Sequence, residues 1–335
     1  MKTILSEIFK TIVKKRNRNF DTGKNKIYKC VSPVISVGNL SVGGSGKTPF
    51  VQTLTNIIKD MGYKPGIVGK GYKRKSKGEV IVSDGSIILA DAYAGGDEML
   101  MLAESLHVPV IAHDLKYIGA LMMESRFELD CLIIDDGFQH RQLFRDLDIL
   151  LIDSETLEKP FLMPKGRLRE PLDSMDRADV ICFLGNYNPK DYDIENNLKD
   201  KLILNVKATH SRPYFMADTN KDRVTDSLIS VSGIAKPKNF KLMLETLNYK
   251  VIFDIVFNDH HFYTSSDVKY IVDKCKNAGI ENIAITEKDA VKLREFGNVF
   301  ADNNIGILIF PIVVQITKGE NELRKILAEI LSKKR

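Results

Sequence analysis

The stretch VISVGNLSVGGSGKTPF (34–50) constrains the fold more than any other part of the chain. Its first six residues read as an apolar strand. A glycine-rich loop follows, and then a segment with helical spacing from about Thr48 to Met61. A buried strand that passes straight into a helix belongs in an α/β sheet covered on both faces. The rest of the first half repeats the pattern. Apolar runs at 66–69, 79–83, 109–112, 131–135, 148–153 and 179–185 alternate with helical stretches, which predicts a mostly parallel sheet with helices on both faces.

The loop narrows the class to a P-loop NTPase-like fold. In SVGGSGKT (41–48) the backbone N–H groups of Gly43, Gly44, Ser45 and Gly46 are placed to wrap a phosphate, and the helix N-terminus adds its dipole. Lys47 would reach the β- and γ-phosphates, and the Thr48 hydroxyl would bind Mg²⁺. The usual pattern opens with glycine where this chain has Ser41. That position starts the loop with Val42, just after Asn39 and Leu40, and lies away from the glycines that must approach phosphate. ATP and Mg²⁺ are therefore the expected ligands. A metal partner is found in LDCLIIDDGFQH (129–140), an apolar strand ending in Asp135 and Asp136 at the carboxyl edge where α/β sheets bind ligands. One Asp would suffice to cap a strand end. Two of them, followed by Gly137 and then Gln139-His140, read as a site. A GTPase would need Asn- or Thr-Lys-x-Asp to read guanine, and TEKD (286–289) has its Lys one place late.

Around 207–225 the chain turns polar, in KATHSRPYFMADTNKDRVT, which reads as a linker or β-ribbon. A second αβ series follows at 227–233, 251–257, 282–286 and 306–314, closed by an amphipathic helix on Leu323, Ile326, Leu327, Ile330 and Leu331. The expected organisation is an amphipathic helix over 1–18, a P-loop core over 19–206, the linker over 207–225, and a smaller α/β domain over 226–335 whose last strand and helix pack back on the core. A length of 335 residues suits two domains. The net charge of +5 is too mild to mark a nucleic-acid binder, and none is expected as a partner. The four cysteines lie far apart without CxxC spacing, which argues against zinc or a disulfide framework. No apolar run reaches the roughly 18 residues of a spanning helix. In MKTILSEIFKTIVKKRNRNF (1–20), however, Ile4-Leu5, Ile8-Phe9 and Ile12-Val13 form one apolar stripe flanked by Lys10, Lys14, Lys15, Arg16 and Arg18. Such a helix either lies on an anionic membrane surface or packs its stripe on the domain.

Several segments together resemble one family, the tetraacyldisaccharide 4'-kinases. They are SVGNLSVGGSGKTP (36–49), GKGYKRK (69–75), GGDEMLMLA (95–103), DDGFQHRQLFRDLDILLID (135–153), MPKGRLREPL (163–172), SGIAKPKNF (232–240), FNDHHFYT (257–264) and TEKDAVKL (286–293), in order along nearly the whole chain. The family's loop also carries a hydroxyl residue in place of the first Gly. Lys70 stands where the family more often has Arg, and Asn258 where it commonly has Pro.

The resemblance implies transfer of the ATP γ-phosphate to the 4'-hydroxyl of an acylated glucosamine disaccharide 1-phosphate, giving lipid IVA. It implies a peripheral enzyme at the cytoplasmic face of the bacterial inner membrane, with its active site in a cleft between a larger and a smaller domain joined by a two-stranded linker. A monomer is expected. The family's Asp–His pair maps onto Asp97 and His260, with His261 the second choice; Asp97 would take the hydroxyl proton and His260 would orient it. An Asp at position 97 also reads as an ordinary helix N-cap, and His260 as a loop histidine. Glu170 looks like another metal-site carboxylate and Arg169 a phosphate contact. Gln139, His140, Tyr72 and Asn39 are candidate phosphate or substrate contacts. Two other functions fit the loop alone, a regulatory ATPase and a kinase for another membrane-associated sugar.

Overall fold

The computed structural model describes all residues except 45, 186–191, 193, 218, 220–224 and 333–335. Its strands are β1 Val34–Asn39, β2 Pro65–Gly69, β3 Val80–Asp84, β4 Pro109–Ala112, β5 Cys131–Asp135, β6 Leu147–Asp153, β7 Val180–Leu184, β8 Leu202–His210, β9 Tyr214–Phe215, β10 Ser227–Ser232, β11 Lys250–Val256, β12 Asn282–Thr286, β13 Gly306–Phe310 and β14 Ile312–Lys318. The chain forms two compact units. One holds Met1–Gly71, Lys75–Thr209 and Val313–Arg335; the other holds Tyr72–Arg74 and His210–Ile312.

The first unit is built on a nine-stranded sheet in the order β14-β8-β7-β6-β1-β5-β2-β4-β3. The neighbours from β8 to β4 pair in parallel, and β3 closes the edge antiparallel to β4. Every residue of β1, β2, β5 and β6 is buried. Successive strand side chains point to opposite faces, so both faces of the central strands are covered. The helix Lys47–Asp60 buries Phe50, Val51, Leu54, Ile57 and Ile58, one stripe at helical spacing. Parallel pairing aligns Val37 of β1 with Asp135 of β5, so the phosphate loop and the aspartate pair leave the sheet side by side.

The second unit has its own sheet, β11-β10-β12-β13-β9. Its strands feed two separate cores by alternation: Ile229, Val231, Ile283, Ile285, Ile307 and Ile309 in one, Leu228, Ala284, Leu308 and Phe310 in the other. One expectation is corrected here. The apolar run 306–314 is not a single strand. It breaks at Pro311 into β13, which belongs to the second sheet, and β14, which belongs to the first. Proline has no N–H for a ladder and forces the break. The segment expected as a linker begins within β8, and β9 pairs antiparallel with β13.

The N-terminal helix Lys2–Asp21 packs on the first unit with Ser6, Val13 and Phe20, spaced seven apart. Ser6 Oγ donates to Leu162 O at 2.9 Å. Arg141 donates to Asn17 O at 3.1 Å and reaches Asp21 at 2.6 Å. The stripe of Ile4, Leu5, Ile8 and Ile12 lies on another face and stays 68%, 46%, 53% and 60% exposed.

Candidate active site

β1 ends at Asn39, and the loop after it turns through Gly43 and Gly46, both at positive φ (100° and 74°) where a side chain would strain the backbone. Gly46 is the N-cap of the helix Lys47–Asp60, so Lys47 and Thr48 open that helix at the loop. A second segment braces the loop. Ser41 forms a β-bridge with Leu168, Val42 N donates to Arg167 O at 2.9 Å, and Arg169 N donates to Leu40 O at 2.7 Å. The Arg167 guanidinium also reaches Val42 O, at 3.0 and 2.8 Å. The Ser41 hydroxyl is buried and accepts from Asn39 Nδ2 and Thr156 Oγ1, each at 3.3 Å. Its side chain therefore ties the loop to the body of the domain. Gly44 is exposed, and Ser45 falls outside the described residues.

The two aspartates take opposite roles. Asp136 receives both arms of Arg169, at 2.8 and 2.7 Å, and lies 3.5 Å from Lys47 Nζ. Lys47 and these guanidinium bonds hold its carboxyl well below the usual range against the effect of burial. Arg169 also donates to both oxygens of Asn39, and Lys47 donates to Asn39 Oδ1 at 3.2 Å. Gln139 Nε2 donates to Asn39 O at 2.9 Å. Beneath them Lys116, which no sequence motif marks, is buried and donates to the carbonyls of Asp135 and Asp136 at 2.7 Å each. This fixes the turn, where Asp136 sits at φ 51°.

Asp135 is buried, and its Oδ1 has no hydrogen-bond partner among the described residues. Burial, then the nearby Glu98 carboxylate, push its carboxyl up to about 7. A buried oxygen without a donor, in a carboxylate disfavoured by its surroundings, is what a divalent cation would satisfy. The site thus fits Mg²⁺, with Asp135 as the protein carboxylate and Thr48 at the loop. His140 is held neutral: burial first, then the cation of Lys116, push it down to about 3.

Glu170, expected as a metal-site carboxylate, is engaged by other side chains here. It is fully buried, and both of its oxygens are taken up: Oε1 by Arg16 at 2.8 Å, Oε2 by Asn17 and Arg177 at 2.9 Å each. It anchors the N-terminal helix. A ligand oxygen would have to abandon these partners.

Asp97 opens the helix Asp97–Leu106 as its first residue. The N-cap is Gly96, so the plain N-cap reading of Asp97 is also corrected. Asp97 is buried, and its Oδ1 accepts from Glu98 N at 2.9 Å. Gly96 sits at φ 88°, and a Cβ there would lie 2.7 Å from Gly71 Cα. Two glycines in contact therefore set where Asp97 stands. Met99 of the same helix packs on Gly69 at the end of β2, close to the Asp135 side chain.

The histidine pair lies in the second unit. His260 is buried at φ 60°, its ring tilted against Tyr72 at 4.9 Å. Its Nε2 is 3.0 Å from Lys288 Nζ, a second residue missed in the sequence. His261 faces elsewhere. It stacks on Phe257 at 4.6 Å and meets Asp267 of a helix capping box at 3.0 Å. That is a packing role.

Strand, phosphate loop and helix, with an aspartate pair on the neighbouring strand and Lys47 between them, mark a P-loop phosphotransferase. The particular kind follows from comparison with known proteins. The family model Tetraacyldisaccharide-1-P 4'-kinase matches residues 2–332. The tetraacyldisaccharide 4'-kinase of Aquifex aeolicus (strain VF5) is 37% identical over 310 residues, covering 89% of this chain and 91% of its own. That of Syntrophus aciditrophicus (strain SB) is 34% identical over 311 residues, covering 87% and 83%. A crystal structure of the "apo" form of LpxK from Aquifex aeolicus in complex with ATP superposes with a TM-score of 0.79 at 32% identity, over 98% of both chains. The chain belongs to the tetraacyldisaccharide 4'-kinase family.

Proposed function

We propose that this chain transfers the γ-phosphate of ATP to the 4'-hydroxyl of a tetraacyldisaccharide 1-phosphate, giving lipid IVA in lipid A biosynthesis. The observation that carries the reading is the array at the ends of β1 and β5, in a chain that matches the family from residue 2 to 332. Lys47 and Arg169, now on Asp136, are the cations that ATP phosphates would engage. The backbone at Gly43, Gly44 and Gly46 approaches the β-phosphate, with the helix dipole behind it. Asp135 and Thr48 would hold Mg²⁺, which when bound would supply charge neutralisation at the transferring phosphoryl group. Asp136 keeps Lys47 and Arg169 oriented, and Lys116 fixes the turn beneath both aspartates. A sugar hydroxyl is a weak nucleophile, and Asp97 would take its proton as its oxygen bonds to the γ-phosphorus and the bond to the bridging oxygen breaks, releasing ADP. His260 is assigned an orienting role in the reaction on the family pattern, with Tyr72 beside it as a sugar contact.

The working unit is a single chain, peripheral to the inner membrane at its cytoplasmic face. Among the described residues no helix is long and apolar enough to cross a membrane. The exposed Ile4, Leu5, Ile8 and Ile12, beside Lys10, Lys14 and Lys15, suit an anionic leaflet, where an acylated substrate resides.

Purified protein is incubated with radiolabelled ATP, Mg²⁺ and the disaccharide 1-phosphate, with Lys47→Ala as control. Labelled lipid product is expected from the wild type alone. Its absence, or equal labelling by the control, would overturn the assignment.

A further inference from the structure

We infer that Lys288 is a positioning residue that fixes the tautomer of His260. The segment TEKDAVKL (286–293) carries it. Thr286 ends β12 and caps the next helix, accepting from Asp289 N at 3.2 Å. Asp289 is fully buried. Its Oδ1 accepts from Gly233 N at 3.1 Å and from Tyr263 OH at 3.0 Å, and Lys292 Nζ lies 3.3 Å away. Gly233 in turn accepts the backbone N–H of His260 at 3.0 Å. The backbone of His260 thus hangs from a glycine that Asp289 pins.

One residue earlier, Lys288 acts on the ring itself. Its Nζ is 3.0 Å from His260 Nε2 and 3.2 Å from Asp259 Oδ1. An ammonium has three donors and no acceptor. The Lys288–His260 bond therefore exists only if Nε2 carries a lone pair, which leaves the imidazole neutral with its proton on Nδ1. The Asp259 carboxylate holds Lys288 in place, and Tyr72 limits the ring from one side. With Nε2 facing Lys288, the ring proton sits on Nδ1. Such a ring orients a base and does not itself abstract a proton through Nε2. The catalytic weight of this contact rests on the role given to His260 above.

The test combines imidazole ¹⁵N NMR with kinetics, on full-length protein labelled at histidine. His260 is assigned by the signals lost in His260→Gln. In the wild type the two-bond ¹H–¹⁵N pattern is expected to show the Nδ1–H tautomer. In Lys288→Met it is expected to move toward Nε2–H, with kcat lowered by at most the ~10⁴-fold that a wrong tautomer costs a histidine triad. KM for ATP should stay within about threefold, since the phosphate loop is untouched. Lys288→Arg, which keeps a charged donor, should restore the Nδ1–H pattern and most of the turnover. A purely structural lysine would move neither the pattern nor kcat selectively. An Nε2–H tautomer in the wild type, or an unchanged pattern and kcat in Lys288→Met, overturns the inference. Full turnover in His260→Ala would instead overturn the role of His260, while the ¹⁵N pattern would still decide whether Lys288 sets the tautomer.

Discussion

Replacing Glu170 by Gln separates two readings of one carboxylate. As a metal ligand it would matter to Mg²⁺ and little to stability. As built, it is the fully buried centre of a cluster with Arg16, Asn17 and Arg177. Glutamine keeps the shape but loses the charge, and its NH₂ must point at one of these donors. The Arg177 side chain is only 18% exposed, and its guanidinium also lies over the Phe138 ring at 4.4 Å. Breaking a pair of this kind on one side costs about 3–5 kcal/mol. Arg16 is 41% exposed, so its share is held to about 0.5 kcal/mol by solvent screening. A loss of about 4 kcal/mol is expected for the first unit, or roughly 10 °C in Tm at 2–4 °C per kcal/mol. The damage should centre on the N-terminal helix, which Arg16 and Asn17 tie down. Thermal unfolding by circular dichroism reads the first effect. Brief trypsin digestion reads the second, since Lys10, Lys14 and Lys15 become cleavable when the helix lifts. If the variant melts within about 3 °C of wild type, resists trypsin there, and needs much more Mg²⁺ for turnover, the anchoring argument is wrong and Glu170 is a metal carboxylate.

Gly96→Ala is expected to cost more than the ~1 kcal/mol of an ordinary glycine replacement, because positive φ and the Gly71 backbone both oppose a Cβ; kcat should fall with it through displacement of Asp97, as steady-state kinetics at saturating ATP would show. Ile8→Asp should leave the unfolding free energy within about 0.5 kcal/mol of wild type, since the side chain is exposed, yet sharply reduce sedimentation with anionic liposomes. Asp135 has a folded-state pKa raised to about 7 from 3.8, so the folded chain holds the extra proton between these values. Without Mg²⁺ its stability should therefore fall as pH rises through that window, and Asp135→Asn should remove this part of the dependence; if the argument fails, urea titrations with chelator at pH 5.5 and 8 give the same change in unfolding free energy for wild type and variant.

How far the sequence could be read follows from the range of each interaction. The strands of the first sheet are legible because buried parallel strands are apolar on both faces and need no partner information to be seen. The run 306–314 is read wrongly for the same reason: apolarity marks Ile307 and Val314 alike and says nothing about which sheet each joins. β8 reads partly as a linker because Lys207, Thr209 and His210 make its end polar. At the site, the phosphate loop, Asp135 and Asp136 are local words and could be recognised as such. Their division of labour could not, because it depends on Arg169 reaching back to one of them and on burial isolating the other. Glu170 sits one residue from Arg169 and looks like its equal in the sequence. Its partners Arg16 and Asn17 stand 154 and 153 positions away. Ser41 completes the argument. Its hydroxyl is turned inward to Asn39 and Thr156, so a side chain at the loop's first position adds a fastening inside the domain and leaves the phosphate-facing glycines untouched.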